Sequence, residues 1–416
     1  MKLKDLGPGL ITGAADDDPS GIATYSQAGA QFGFNMLWTV VFTFPLMVGI
    51  QMISARLGCI TGRGLAANIK LEFPNWLLYC IVGLLLTANT INIAADIAAM
   101  SEALRLLVGG SAHVYSVTFG LLCLVLQVFL RYATYVRYLK WLTLGLLAYV
   151  AVVFTLHVPW LSVIKHTVLP SLALNNDTIT MIVAVFGTTI SPYLFFWQAT
   201  QEVEDLKASA ASSGMINVFP HAMDVARRHL RRIRWDTYIG MGFSNLIAFF
   251  IILSAATTLN MAGVTDIQTS AQAANALRPL AGEFAFAVFA LGIIGTGMLA
   301  VPVLAGSAAY AVAETIGWNQ GLDLKPKEGR GFYAIIAVAT LGGVILDFTP
   351  MDPMKELLWS AVINGVIAVP IMVVMMLLAS KEHVMGQFVI RKRLQRLGFL
   401  ATATMAIAVV AMIATL

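Results

Sequence analysis

Eleven apolar runs dominate this 416-residue chain, at roughly residues 6–32, 35–57, 76–106, 113–130, 136–156, 177–201, 237–259, 284–316, 331–348, 354–379 and 395–415. Each approaches or exceeds the ~20 residues that a helix needs to cross the hydrocarbon of a bilayer. No water is present there to bond backbone N–H and C=O groups, so such runs form helices that satisfy those groups internally. Charged residues make up 12% of the chain, about half the share usual in a soluble domain, and the mean hydropathy is +0.80. The expected fold class is an all-α membrane protein of about 11 transmembrane helices, forming a single domain over residues 1–416. Residues 160–171 read as interfacial rather than spanning. Cys59, Cys80 and Cys123 are too few for a disulfide framework. Met1-Lys-Leu-Lys runs into the first span without a cleavable leader pattern.

Cytoplasmic connections of membrane proteins are rich in Lys and Arg. With a cytoplasmic N-terminus and eleven alternating spans, 22 of the 26 Lys and Arg fall inside; Arg105, Lys165, Arg278 and Lys355 fall outside. One span more or fewer would scramble that tally. The expected setting is the plasma (inner) membrane, with the N-terminus in the cytoplasm and the C-terminus outside. The basic run Arg227, Arg228, Arg231, Arg232 and Arg234 reads as part of this retention signal, touching lipid headgroups rather than nucleic acid.

Two spans are interrupted. The first contains Gly13, three consecutive aspartates and Pro19-Ser20-Gly21; the sixth contains GTTISPY at residues 187–193. Proline lacks a backbone N–H and breaks the helical ladder, and glycine weakens it further. Groups freed at membrane depth are tolerated only where protein or a watery cavity meets them. Spans 1–5 (about 6–156) and 6–10 (about 177–379) form two halves, and the last span (about 395–415) is an appendix. Because five is odd, the halves enter the membrane from opposite sides, as an inverted repeat. Interruptions at corresponding places in two such halves mark a transporter's central site. The alternative, two ordinary proline kinks, does not call for three carboxylates alongside.

An ionised side chain at the bilayer centre is costly, and three neighbouring carboxylates repel one another. A cation or a watery vestibule offsets that cost. Asp18, next to the proline, is the expected cation ligand; Asp16 and Asp17 either flank the approach or accept hydrogen bonds from unwound backbone. The opposing break offers carbonyls near Gly187 and Thr188 and hydroxyls at Thr188, Thr189 and Ser191. For Thr188 and Thr189, bonding back into their own helix is the equal alternative. An oxygen-only set suits Mg²⁺, Ca²⁺ and Mn²⁺ rather than later transition metals. In span 3, Asn89, Asn92 and Asp96 share one helical face. Asp96 is the candidate proton relay, and Glu102 lies nearer the outer end. Asn364 in span 10 either approaches the site or bonds between helices. Tyr193, Phe195, Phe196 and Trp197 read as packing.

These stretches resemble a known family. GPGLITGAADDDPSGIATYSQAGAQFG (residues 7–33) is similar to the first helix of the Nramp (natural resistance-associated macrophage protein) divalent metal transporters. SARLGCITGRGLA (54–66) resembles the stretch after that family's second helix, and GTTISPYLF (187–195) its sixth-helix break. The resemblance implies the amino-acid/cation symporter (LeuT-like) fold, a 5+5 inverted repeat with helices 1 and 6 broken, and alternating access, commonly with protons. By position, Asp18 matches the metal-binding aspartate, Thr188 the residue whose carbonyl binds metal, and Asp96 the third-helix aspartate of proton movement. Ala15 would supply a second carbonyl. The departures are Gly21 for the family's asparagine ligand, Ser191 for its methionine, Tyr193 for its sixth-helix histidine and Ala99 for an acidic residue. No match to the paired arginines of its ninth helix is evident.

The expected function is secondary transport of a divalent cation, Mn²⁺ or Mg²⁺ ahead of Fe²⁺, with Asp18, the Ala15 and Thr188 carbonyls, the Ser191 hydroxyl and water as ligands. Asp17 is a substitute ligand, Asp96 and Glu102 a proton pathway, and Gly21, Tyr193, Asn92 and Asn364 further lining. The protein is expected to be a monomer in the lipid bilayer, with the metal as substrate and no cofactor. An organic cation or other small solute carried on the same fold is the rival reading. A non-transporting sensor or scaffold finds no large loop to serve it, and an enzyme finds neither HExxH nor GxSxG.

Overall fold

The computed structural model describes residues 8–130, 145–171, 173, 175–213, 223–349 and 352–415. Its long helices are α1 (Pro8–Asp16), α2 (Pro19–Phe32), α3 (Leu37–Thr61), α4 (Leu65–Glu72), α5 (Asn75–Val108), α6 (Ala112–Phe129), α7 (Leu147–Thr155) and α8 (Trp160–Val168). After them come α9 (Asn176–Thr189), α10 (Pro192–Ser213), α11 (Met223–Thr258), α12 (Ala285–Ile316), α13 (Arg330–Leu346), α14 (Pro353–Ser380) and α15 (Lys392–Thr415). No strand occurs among the described residues. Eight helical stretches of these residues are long and apolar enough to cross a membrane, and α13 is a shorter apolar helix. The first stretch, Pro19–Thr61, turns at Gly33, whose φ of +58° favours glycine. The first part of the fifth expected span, residues 136–144, lies outside the described set, and α7 falls in its described remainder. Phe154, Ile345 and Ile407 are at least 70% exposed, a disposition suited to lipid and unfavourable in water.

Both expected breaks are present, and each has a local cause. The ring of Pro19 steers Asp18 out of helical conformation, to φ −72° and ψ 169°. In the second break Ile190 leaves the helix at φ −115°, ψ 64°, and Pro192 opens α10. Proline alone is not sufficient: Pro45, Pro302 and Pro370 lie inside helices that continue through them.

The long-range contacts show the internal symmetry. Counting helices by membrane span (helix 1 is α1 with α2, helix 2 α3, helix 3 α5, helix 6 α9 with α10, helix 7 α11 and helix 8 α12), Gly9 and Gly13 of α1 press on Asp236 and Gly240 of α11, and Gly29 of α2 on Ile252, so helix 1 runs parallel to helix 7. An ideal Cβ on Gly13 would stand 2.3 Å from the Gly240 carbonyl, a distance only a glycine allows. In the other half, Gln51 donates to the Leu194 carbonyl, Ser54 to the Phe195 carbonyl, and Gly58 meets Ala199, so helix 2 runs parallel to helix 6. Helices 3 and 8 cross antiparallel, with Asn89 donating to the Leu304 carbonyl and Ser307 Oγ while Met100 meets Gly297. The pairs 1–7 and 6–2 are exchanged by an inverted repeat, which faces helices 3 and 8 against each other.

One expectation needs correction. Arg232 is not simply a headgroup contact. It turns inward to Glu202 at 2.6 Å, to Asp205, and to Asp236 at 3.9 Å. The Glu202 side chain is 0% exposed, so Arg232 balances a buried charge. Arg227 and Arg228 remain exposed. Arg232→Gln is expected to cost about 3 kcal/mol by leaving Glu202 without its counter-charge. An unchanged melting temperature of the solubilised protein would contradict this.

Candidate cation site between the two helix breaks

The site begins with two carbonyls that proline leaves without partners. In an α-helix the C=O of residue i accepts from the N–H of residue i+4. For Ala15 that residue is Pro19, and for Thr188 it is Pro192; neither has an N–H. Side-chain hydroxyls take the vacated places. Tyr193 Oη donates to the Ala15 carbonyl at 3.0 Å, and Ser191 Oγ donates to the Thr188 carbonyl at 2.7 Å. Ser191 Oγ also lies 3.2 Å from the Gly187 carbonyl.

Asp18 stands between these groups. Its Oδ1 accepts from the Gly21 N–H at 2.7 Å, capping α2, and its Oδ2 lies 3.3 Å from Tyr193 Oη. A negative charge is favourable at this helix N-terminus. The two breaks face each other across Gly21: an ideal Cβ there would stand 3.1 Å from Thr188 Oγ1 and 3.4 Å from Asp18 Oδ1. An asparagine at this position would project into that gap. Asp18, Thr188, Ser191 and Tyr193 are all 2% exposed or less.

The other aspartates face elsewhere. Asp16 Oδ2 and Asp17 Oδ1 both rest on Ser244 Oγ of α11, at 2.7 and 3.0 Å. Asp17 is therefore turned to helix 7, and Asp18 is the member of the triplet that engages α10. Among the described residues, no group of three or more His, Cys, Asp and Glu side chains forms a metal cluster. A cation here would be held by one carboxylate and neutral oxygens.

Of the remaining expected residues, Asp96 is fully buried, neither of its carboxylate oxygens has a hydrogen-bond partner, and it lies within electrostatic reach of Asp18. Glu102 is not brought into the site. It pairs with Arg105 at 2.8 Å, about 9 Å farther along α5 at 1.5 Å per residue. Asn92 is fully buried with neither amide atom bonded, and Asn364 is 1% exposed with its Oδ1 unbonded. Thr189 bonds back to the Val185 carbonyl at 2.6 Å, so Tyr25 supplies the hydrogen of the 3.0 Å Tyr25–Thr189 bond tying α2 to α9. Sequence reasoning overlooks Tyr25 and Ser244, whose partners lie 164 and more than 220 positions away.

A cavity of about 450 Å³ is lined by α2 (Ala23, Gln27, Gln31), the start of α9 (Asp177, Thr180), the Thr265–Ile267 segment and the start of α14 (Lys355, Trp359). At the other end, α1 lies tight on the backbone of α11. Two opposed helix breaks, an inverted arrangement and a buried acidic centre define a broken-helix membrane transporter of the LeuT-like class.

Comparison with known proteins places the chain within that class. The family model described as natural resistance-associated macrophage protein-like (Nramp) matches residues 9–415, and the chain belongs to that family. Among solved structures, it is similar to a manganese transporter of Eremococcus coleocola in complex with an aromatic bis-isothiourea compound. The TM-score is 0.76 at 16% identity, covering 98% of this chain and 86% of that one. It also shares its fold with Mhp1, a nucleobase-cation-symport-1 family transporter, closed with bromovinylhydantoin bound. There the TM-score is 0.56 at 15% identity, covering 98% of this chain and 91% of the other.

Proposed function

We propose that this chain carries divalent metal cations across the membrane by alternating access, with Mn²⁺ and Mg²⁺ preferred over Fe²⁺. The observation that carries the reading is the convergence of the Asp18 carboxylate with Ala15 and Thr188, whose carbonyls the two prolines leave unbonded by their own helices. Family membership and the likeness to a manganese transporter support it. Asp18 is the charged ligand, the Ala15 and Thr188 carbonyls and the Ser191 hydroxyl are neutral ones, and water completes the shell, as Mg²⁺ prefers. Asp17, bonded to Ser244, flanks the site. Asp96, beside Asp18, is the group through which proton coupling would act. With a cytoplasmic N-terminus, the cavity opens outward and the direction is import.

Flux of Mn²⁺ and Mg²⁺ into proteoliposomes, read with a metal-sensitive dye, tests the proposal. Transport that persists unchanged in Asp18→Ala would overturn it. Serine supplies a hard oxygen where the family's methionine supplies a soft sulfur. Ser191→Met is therefore expected to raise the affinity for Cd²⁺ relative to Mg²⁺, as measured by competition binding. Uptake against an imposed pH gradient, compared in wild type and Asp96→Asn, decides the proton coupling.

A further inference from the structure

Tyr193 has one hydroxyl hydrogen and two acceptors, the Ala15 carbonyl at 3.0 Å and Asp18 Oδ2 at 3.3 Å. Both acceptors belong to the cation site, and the ring is fully buried. Without that hydroxyl, the Ala15 carbonyl would lack any donor at its helical position, because Pro19 offers no N–H. An unsatisfied buried carbonyl is costly, so an empty site needs a hydrogen-bond donor at this place.

We propose that the Tyr193 hydroxyl is the placeholder of the transported cation: it occupies the Ala15 and Asp18 oxygens while the site is empty and is displaced when the ion binds. The inference rests on the cation-transport reading above. It makes Tyr193 a determinant of affinity without making it a ligand. Tyr193 reaches from α10 to the last turn of α1, so displacement also releases one half-helix from the other. Breaking the same hydrogen bonds costs every ion the same free energy. Removing the hydroxyl therefore tightens binding of different divalent ions by one common factor and leaves their ranking unchanged.

The test is calorimetric titration of the purified full-length protein with Mn²⁺, Mg²⁺ and Ca²⁺, wild type against Tyr193→Phe, with melting temperatures measured alongside. The expected result is tighter binding of all three ions by a shared factor of roughly 10, equivalent to ~1.4 kcal/mol, the scale of one hydrogen bond. Weaker binding in Y193F would make Tyr193 a direct ligand, and unchanged affinity would leave it a packing residue; either result overturns the placeholder. Absence of divalent binding in both proteins would instead overturn the transport reading beneath it. Tyr193→Leu provides the same comparison if the phenylalanine variant does not fold.

Discussion

Asp18→Asn is expected to weaken divalent-cation binding by about 100-fold or more, the scale of removing one partner from a buried charge pair, while the fold survives. The two functions of Asp18 are separable. Its Oδ1 caps α2 by accepting from the Gly21 N–H at 2.7 Å, and an asparagine oxygen accepts that bond equally well. The charge that attracts a cation has no such substitute. Asp18→Ala loses both, and should add about 1 kcal/mol of instability from the missing cap. Isothermal titration with Mn²⁺ and thermal unfolding of the two variants read the separate effects. Wild-type affinity in the asparagine variant would mean that the carboxylate is there for the helix alone.

Gly187→Val is expected to prevent assembly, at a cost of about 3 kcal/mol or more, because overpacking against rigid neighbours cannot relax. An ideal Cβ at Gly187 would stand 2.1 Å from the Ala361 carbonyl and 2.5 Å from the Gly365 nitrogen. Both are backbone atoms of α14, so no side chain can give way. This crossing also carries the α9 end of the second break. Gly83→Ala is the control. Gly83 lies within α5 with nothing inside 4 Å of an added Cβ, so alanine should stabilise the helix by about 0.5–1 kcal/mol. Folded yield on size-exclusion chromatography separates the two; comparable yields would show that the crossing tolerates a side chain.

The two breaks were legible because their causes are local. Proline, glycine and aspartate act within a few residues of where they stand, and Pro19 and Pro192 shape the backbone around themselves. The long helices were legible for a similar reason, since hydrocarbon leaves few backbone options. Side-chain direction was not legible. Asp16, Asp17 and Asp18 are chemically identical in sequence, and what separates them is Ser244 in the apolar seventh span. Arg232 shows a signal present but hard to weigh. Glu202 and Asp205 lie on α10 while Arg232 and Asp236 lie on α11, and the pairing of the two helices sets them face to face. Within a run of five arginines, the sequence does not distinguish the one that turns inward.

The cavity lined by α2, α9 and α14 has a bearing on rate as well as access. Of the residues around it, Asp177 and Asp266 carry negative charge and Lys355 positive, leaving its mouth one unit negative. A doubly charged ion is drawn toward such a funnel, and low-dielectric walls concentrate the field. That pull reaches only as far as dissolved salt permits, about 8 Å at physiological ionic strength. The protein should therefore capture its cargo fastest at low ionic strength.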